Sequence, residues 1–287
     1  MSMGKAVRLK SPAKVNLRLE ILRRREDGYH ELRTVMQKIS LYDTLSVSLK
    51  KERGISITAN HPGLPLGRKN LVYRAAQTIL KKSEYKAGLH IDIKKEIPLG
   101  AGLGGGSSNA GATLKALNQL LGIGLSTREL MKIAVNLGAD VPFFLFEGAA
   151  FATGIGDRLR RIELPDLWYL LINPGFEVST RWAYQNFVLT KRHFHFNLRG
   201  LVTTPEEISC LLWNDLEAVV SHKYPQIEAM KRMLVSAGAL GALMTGSGPT
   251  VFGVFSGKRE AENAFTKLAP GVRRRGWVIL RAHSLPT

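Results

Sequence analysis

The segment that decides the fold of this chain is Pro98-Leu99-Gly100-Ala101-Gly102-Leu103-Gly104-Gly105-Gly106-Ser107-Ser108, which we call the glycine loop. It lies between an alternating apolar stretch that predicts a strand, 89–93, and a predicted helix that runs to Leu121. Glycines let the backbone approach an anion closely, and a helix start offers unpaired N–H groups and the positive end of the helix dipole. A flexible connector or a tight turn is the plainer alternative. The position between a strand and a helix favours phosphate binding instead.

Two common nucleotide motifs do not account for the glycine loop. The pattern Gly-x-Gly-x-x-Gly at 100–105 formally matches the dinucleotide fingerprint, which also needs an acidic residue about twenty positions later to bind the ribose. No Asp or Glu occurs between Glu96 and Glu129, and Glu129 is explained by a helix capping box. A P-loop needs Gly-Lys followed by Ser or Thr, whereas Gly106 leads directly to Ser107. A different phosphate-binding loop is required.

Length and composition are those of a folded protein. The chain has 287 residues, of which 45% are hydrophobic and 22% charged, which fits one large or two ordinary domains and argues against disordered, collagen-like and coiled-coil classes. No run approaches the ~18 apolar residues of a membrane span. The first residues lack the apolar core of a secretory signal, and Cys210 is the only cysteine. We therefore expect a cytoplasmic protein without an internal disulfide.

The formal net charge of +18 makes nucleic acid a candidate partner. The basic residues nevertheless fall in short, separate clusters such as 23–25 and 273–275, not in one stretch interleaved with aromatic residues. His193, His195 and His222 have neither partner cysteines nor regular ligand spacing, so no dedicated metal site is predicted. We expect a small-molecule substrate and neither nucleic acid nor a membrane as partner, and the sequence indicates no oligomeric state.

Hydrophobic periodicity predicts an α+β pattern in two halves, with the boundary near 155–170. Asn70 is expected to cap one helix, Ser107 or Ser108 a second, and Ser126 with Glu129 a third. Strands are expected around 15–21, 45–49, 55–57, 89–93, 149–153, 159–164, 168–172, 240–244, 250–255 and 277–281, and helices around 71–82, 108–121, 126–138, 180–187, 205–220, 225–237 and 260–268.

Three segments of the chain resemble the GHMP small-molecule kinases, which include galactokinase, homoserine kinase and mevalonate kinase. They are Pro12-Ala13-Lys14-Val15-Asn16-Leu17, the glycine loop, and Thr245-Gly246-Ser247-Gly248-Pro249-Thr250, in the order that the family has. The resemblance implies a two-domain α+β kinase. It would have a ribosomal protein S5 domain 2-like ATP-binding domain at 1–160, a ferredoxin-like domain at 161–287, and the active site in the cleft between them.

Two further segments narrow the resemblance: Asp27-Gly28-Tyr29-His30-Glu31-Leu32 and Gly138-Ala139-Asp140-Val141-Pro142-Phe143-Phe144. They are similar to those of family members whose acceptor is a cytidine diphosphate-linked methylerythritol. The resemblance implies transfer of the γ-phosphoryl group of ATP to the 2-hydroxyl of that acceptor, with ATP and Mg²⁺ as cofactors. Two alternatives stay open: a GHMP kinase with another alcohol acceptor, and a basic nucleic-acid-binding protein on a kinase scaffold.

The resemblance also implies roles for individual residues. Asp140 is expected to be the base, and Lys14 the cation that keeps it ionised and stabilises the developing charge. The plainer alternatives are a helix cap or a turn residue after Gly138 for Asp140, and a solvated strand lysine for Lys14. The residues expected to hold ATP are Asn70, near the adenine, and Pro98, Leu99, Gly100, Ala101, Gly102, Leu103, Gly104, Gly105, Gly106, Ser107 and Ser108, with Ser107 or Ser108 available to Mg²⁺. The residues expected to hold the cytosine of the acceptor are Tyr29, Tyr184 and His30. Asn16 and Thr180 are expected at its polyol and phosphates, and Gly246 and Ser247 are expected to line the cleft near the substrate and the nucleotide phosphates.

Overall fold

The computed structural model describes residues 6–83, 85, 88–189 and 202–286. His193 and His195 lie outside these residues. The described strands are β1 (Ala6–Arg24), β2 (His30–Lys50), β3 (Ile55–Ala59), β4 (Gly88–Lys94), β5 (Ala149–Thr153), β6 (Arg158–Ile162), β7 (Trp168–Asn173), β8 (Trp213–Asn214), β9 (Gly241–Met244), β10 (Val251–Phe255) and β11 (Val278–His283). The described helices are α1 (Leu71–Lys82), α2 (Gly105–Leu120), α3 (Thr127–Val135), α4 (Val141–Leu145), α5 (Thr180–Asn186), α6 (Asp215–Lys223), α7 (Gln226–Ser236) and α8 (Lys258–Arg274), with a 3₁₀ helix at Pro205–Cys210.

The chain divides into two compact units, and β1 and β2 each contribute residues to both. Unit 1 consists of Met1–Ala13, Leu41–Leu99 and Gly104–Glu147, and unit 2 of Lys14–Ser40, Gly100–Leu103 and Gly148–Thr287. The predicted domain limits, 1–160 and 161–287, stay a prediction. None of the helices among the described residues combines the length and the apolar composition that crossing a bilayer requires.

Unit 1 packs its helices on a sheet of strand order β3-β4-β2-β1. Strand β3 runs parallel to β4, and β4 runs antiparallel to β2 with Leu45 opposite Ile93. Apolar side chains of this sheet and of α1 to α4 form one core, in which Ile79, Ile91 and Leu114 are fully buried. The alternation seen in the sequence thus directs one face of each strand into the core.

The helix caps of unit 1 follow the sequence with one exception. Asn70 caps α1 by accepting the Val72 N–H at 2.9 Å, and Ser126 forms the predicted capping box with Glu129. The predicted serine cap of α2 is wrong, because the residue before the helix is Gly104, with a left-handed φ of +69° and no side-chain cap. Only a residue without Cβ adopts that conformation readily.

The described residues of unit 2 take part in two sheets, of which the first includes the same strands β1 and β2. The first has the strand order β6-β5-β2-β1-β8, and the second is antiparallel with the order β11-β7-β10-β9. Around the second sheet the chain runs from β7 through α5, α6 and α7 to β9 and β10, and then through α8 to β11. This β-α-β-β-α-β arrangement is the ferredoxin-like fold that was expected. Its core contains Leu170, Met230 and Val251.

Two predicted helices of unit 2 differ from the structure. The predicted helix at 205–220 is partly wrong: a 3₁₀ helix at Pro205–Cys210 is followed by β8, and α6 begins only after Asn214, whose Oδ1 accepts the Leu216 N–H at 3.0 Å. Helix α8 continues through Pro270 to Arg274 instead of ending near 268. A proline removes one backbone donor, and the burial of Val272 beyond it keeps the helix packed.

Candidate active site

One face of β1 is polar although it is buried. Lys14, Asn16, Arg18 and Glu20 alternate with core residues along the strand, and all four are buried. Buried polar groups need partners, and here Lys14 Nζ donates to Asn16 Oδ1 while the Arg18 guanidinium donates to Glu20. The alternative of a solvated Lys14 is wrong, because its exposed fraction is 3%. We call these four residues the polar face of β1.

The three segments that carried the family resemblance meet in unit 2. The Asn16 N–H donates to Thr245 Oγ1 at 3.0 Å, and the Thr245 hydroxyl donates to the Gly102 carbonyl at 3.4 Å. A Cβ on Gly246 would lie 3.1 Å from the Gly102 oxygen and 3.5 Å from Asn16 Oδ1. The structure therefore brings β1, the glycine loop and the turn before β10 together around Asn16.

The glycine loop needs its glycines for backbone geometry. Gly102 has a φ of +74°, and a Cβ there would lie 2.2 Å from the Thr245 carbonyl oxygen, closer than any real contact. At the start of α2 the backbone N–H groups have no side-chain cap. Free N–H groups at a helix start are the donors that phosphate oxygens accept from.

The two serines of the glycine loop differ in their surroundings. Ser108 is buried and accepts a hydrogen bond from the Ser11 hydroxyl at 2.6 Å. Ser107 is partly exposed. Of the two serines expected near Mg²⁺, Ser107 is therefore the better placed to meet a solvated ion.

A buried charged cluster beside the start of α2 was missed by the sequence analysis. The Asp43 carboxylate accepts the backbone N–H groups of Glu96 at 2.8 Å and Ile97 at 2.9 Å, and it also pairs with Lys95 Nζ and with Asn109 Nδ2 at 3.0 Å. A Cβ on Gly105 would lie 3.1 Å from Lys95 Nζ, so an ammonium lies directly under the first residue of the helix. No spacing in the sequence marks this cluster, because β2, the end of β4 and α2 each supply a part.

The turn between β1 and β2 presents Tyr29. Arg25 donates its N–H to the Tyr29 carbonyl at 2.8 Å, and Asp27 Oδ1 accepts the Tyr29 N–H at 3.1 Å. The Arg25 guanidinium, which is hydrogen-bonded to Asp27, holds the pKa of that carboxyl below its usual range. Tyr29 is 58% exposed, so its ring is available to a ligand.

Four of the other predicted acceptor residues form two contacting pairs. The rings of His30 and Tyr184 have centroids 5.1 Å apart, and the hydroxyls of Thr180 and Ser247 are hydrogen-bonded at 2.8 Å. Burial, and then the charge of Arg24, lowers the pKa of His30. A neutral imidazole offers one donor and one acceptor, which suits the polar edge of a base.

Asp140 and Asn70 both lie where their plainer alternatives place them, at the start of a helix. Asp140 lies in the turn after Gly138 and occupies the N-cap position of α4, although its side chain makes no capping hydrogen bond. The Asn70 amide is committed to structure, because Oδ1 accepts the Val72 N–H and Nδ2 donates to the Pro65 carbonyl at 2.7 Å. The adenine contact of Asn70 and the base role of Asp140 stay predictions.

Asn214 is a further residue that the sequence analysis did not place in the site. Its Nδ2 donates to the carbonyls of Met244 at 2.7 Å and Gly246 at 2.8 Å. It thereby holds the backbone on both sides of Thr245. The helix-capping preference of an Asn before Asp215 was available as a sequence signal for its capping role, but not for this second role.

Comparison with known proteins identifies the family. The model of the GHMP kinases N terminal domain matches residues 70–148, and that of the GHMP kinases C terminal domain matches residues 198–271. The 4-diphosphocytidyl-2-C-methyl-D-erythritol kinase of Syntrophotalea carbinolica is 49% identical over 268 residues, which cover 93% of this chain and 95% of that protein. The protein of the same name from Syntrophus aciditrophicus is 49% identical, over 97% of this chain and 99% of its own.

Solved structures agree with this assignment. A crystal structure of 4-(cytidine 5'-diphospho)-2C-methyl-D-erythritol kinase matches with a TM-score of 0.83 and 34% identity, covering 98% of this chain and 100% of that one. Homoserine kinase from Cytophaga hutchinsonii shares the fold, with a TM-score of 0.77 and 23% identity. That match covers 100% of this chain and 96% of the homoserine kinase. The chain therefore belongs to the GHMP kinase family and, within it, to the 4-diphosphocytidyl-2-C-methyl-D-erythritol kinases.

Proposed function

We propose that this protein transfers the γ-phosphoryl group of ATP to the 2-hydroxyl of 4-diphosphocytidyl-2-C-methyl-D-erythritol, giving the 2-phosphate and ADP in the methylerythritol phosphate route to isoprenoids. The observation that carries the proposal is the junction of Asn16, Gly102 and Thr245, in which the Thr245 hydroxyl bridges the strand that bears Lys14 and the glycine loop. The Lys14 N–H also donates directly to the Leu103 carbonyl of that loop at 3.0 Å. A phosphate-binding loop and a buried cation in one constellation suit phosphoryl transfer, which depends on positioning and charge neutralisation.

Phosphoryl transfer to an alcohol requires a base for the proton of the acceptor and a cation that stabilises negative charge on the transferring group. The acceptor oxygen forms a bond to the γ-phosphorus as the bond from that phosphorus to the bridging oxygen of ADP breaks. In the proposal the carboxylate of Asp140 takes the proton of the acceptor hydroxyl, and Lys14 stabilises negative charge on the transferring group. Because Lys14 is buried, its charge is screened less than that of a surface lysine.

ATP is proposed to bind with its phosphates at the uncapped N–H groups of α2. Among the residues that the structure describes, no three His, Cys, Asp or Glu side chains are grouped to hold a metal ion. A partly exposed hydroxyl oxygen such as that of Ser107 fits Mg²⁺, which binds oxygen ligands, commonly stays on the nucleotide phosphates and keeps several waters. Ser107 is the residue proposed to meet it, and the bound ion would supply charge neutralisation on the phosphates.

The acceptor is proposed to bind through its cytosine and its polyol. The exposed ring of Tyr29 offers a stacking surface, and the His30–Tyr184 pair supplies directional hydrogen bonds beside a second ring. The hydroxyls of Thr180 and Ser247 are suited to the polyol or the diphosphate. Their mutual hydrogen bond keeps both oriented before a ligand arrives.

A coupled assay of ADP release tests the proposal. ADP that appears only when 4-diphosphocytidyl-2-C-methyl-D-erythritol is added would support it, with acceptor-free reactions as the control. Homoserine, mevalonate and galactose test the alternative of another alcohol acceptor. If no acceptor produces ADP and the protein binds nucleic acid with an affinity that falls steeply with salt, the proposed function is wrong.

The variant Asp140→Asn tests the proposed base. The amide keeps the shape of the carboxylate but cannot take a proton, so we expect turnover to fall by about 10²-fold or more while ATP affinity is retained. Calorimetry with a non-hydrolysable ATP analogue measures that affinity. Wild-type turnover in the variant would remove Asp140 from the mechanism.

A further inference from the structure

A threonine outside the predicted site has a hydroxyl with two defined hydrogen bonds. Thr34 lies on β2 and is buried. Its hydroxyl donates to the Arg18 carbonyl at 2.6 Å, and it accepts from Asn16 Nδ2 at 2.8 Å. A hydroxyl has one proton, so once that proton is donated to Arg18 only lone pairs face Asn16. Thr34 therefore requires a donor on that side.

This requirement fixes which way the Asn16 amide points. With its NH₂ group toward Thr34, Asn16 presents Oδ1 to Lys14, whose ammonium donates to it. The backbone of Asn16 is held independently, because its N–H donates to Thr245 Oγ1. An ammonium has donors only, so the reversed amide would place NH₂ against NH₃⁺.

We propose that Thr34 is a positioning residue for phosphoryl transfer: its hydroxyl orients the Asn16 amide, and that amide orients the Lys14 ammonium. The proposal rests on the proposed function, since it takes Lys14 as the cation at the transferring group. Thr34 acts through two other side chains and is not a catalytic residue. Neither the family resemblance nor the sequence spacing assigned it a role.

Two substitutions separate the hydroxyl from the shape of the side chain. Thr34→Val keeps the shape and loses both hydrogen bonds, whereas Thr34→Ser keeps the hydroxyl. Because small misplacements of reacting groups cost one to two orders of magnitude in rate, we expect Val to lower kcat by about tenfold, with the KM for ATP within about twofold, and Ser to restore kcat. In an Asn16→Ala background the Val substitution should add less than about twofold, because the residue through which it acts is already gone.

A second readout does not depend on catalysis. The ¹H–¹⁵N signal of the Asn16 side-chain amide, assigned as the one lost in Asn16→Ala, should exchange slowly with solvent in the wild type and in Thr34→Ser. In Thr34→Val it should exchange about tenfold faster or more, since the amide has lost its acceptor. If Val does not fold, Thr34→Ala is measured in the same way. Exposed Thr266 provides a neutral control as Thr266→Val.

The outcomes are distinguishable. Full kcat in Thr34→Val, unchanged amide exchange, or an equal fall in kcat in the Asn16→Ala background would each overturn the positioning role. A wild-type protein that shows no acceptor-dependent ADP release would instead contradict the proposed function. The amide exchange of Thr34→Val still tests the orientation of Asn16 in that case.

Discussion

The substitution Gly102→Ala tests whether the glycine loop is held against the turn before β10 as the structure describes. An alanine at a φ of +74° is strained by about 1–2 kcal/mol. Its Cβ would lie 2.2 Å from the Thr245 carbonyl oxygen and 3.2 Å from the backbone of Gly248, so relief requires backbone movement. Overpacking of this kind typically costs a further ~1–3 kcal/mol. We expect Gly102→Ala to lower the free energy of unfolding by about 2–5 kcal/mol.

Gly122→Ala is the matched control, because Gly122 has a similar φ of +63° and nothing lies within 4 Å of its Cβ position. It should lose only the ~1–2 kcal/mol of backbone strain. Urea unfolding followed by circular dichroism compares the two variants, and kcat/KM for ATP should fall by about tenfold or more in Gly102→Ala alone. Equal losses of stability in both variants would refute the contact between Gly102 and Thr245.

Three further predictions concern other parts of the site. Asp43→Ala removes the carboxylate that pairs with the buried Lys95 ammonium, and it should destabilise unit 1 by about 3–5 kcal/mol in urea unfolding. The control Asp92→Ala, at an exposed aspartate, should cost under about 1 kcal/mol, and equal losses in the two variants would contradict the buried pair. Tyr29→Ala removes an exposed ring whose stacking on a base would contribute about 1–3 kcal/mol to binding. The KM for the acceptor should therefore rise while the midpoint of thermal unfolding stays unchanged. An unaltered KM would exclude Tyr29 from the acceptor site. Burial lowers the pKa of His30, so just below about pH 6.5 the unfolded chain takes up a proton that the folded protein does not. The free energy of unfolding should therefore fall as the pH drops from about 6.5 to the lowered pKa of the folded protein, and it should fall less in His30→Gln. An NMR titration of His30 with an unshifted or raised midpoint would contradict this.

Local sequence signals predicted much of the fold because their physics is local. The cap at Asn70 and the capping box at Ser126 satisfy backbone N–H groups within three residues, so the starts of α1 and α3 were predictable. Strand β4 follows the alternation of apolar residues, whereas β7 and β10 are apolar and buried along nearly their whole length. The end of α8 was not predictable in this way, because tertiary packing around Val272 outweighs the local effect of Pro270.

Some residues of the candidate site could be predicted from sequence motifs, and others could not. Motifs that depend on backbone geometry, such as the glycine loop, have a spacing of glycines that is visible in the sequence. Asp43, Thr34 and Asn214 leave no such pattern, because each acts through a partner more than ten residues away in sequence. Their roles follow from hydrogen-bond geometry alone, which requires the folded chain.

The measurement that tests the central claim most directly is proton-coupled ³¹P NMR of a reaction that contains the protein, ATP, Mg²⁺ and 4-diphosphocytidyl-2-C-methyl-D-erythritol. The carbon that bears the 2-hydroxyl also bears the methyl group and no hydrogen. Its phosphate ester therefore has no three-bond coupling to a proton. The proposed function predicts one new uncoupled monoester resonance that grows together with ADP while the acceptor keeps its diphosphate. A monoester split by carbinol protons, or ADP without any new monoester, would contradict it.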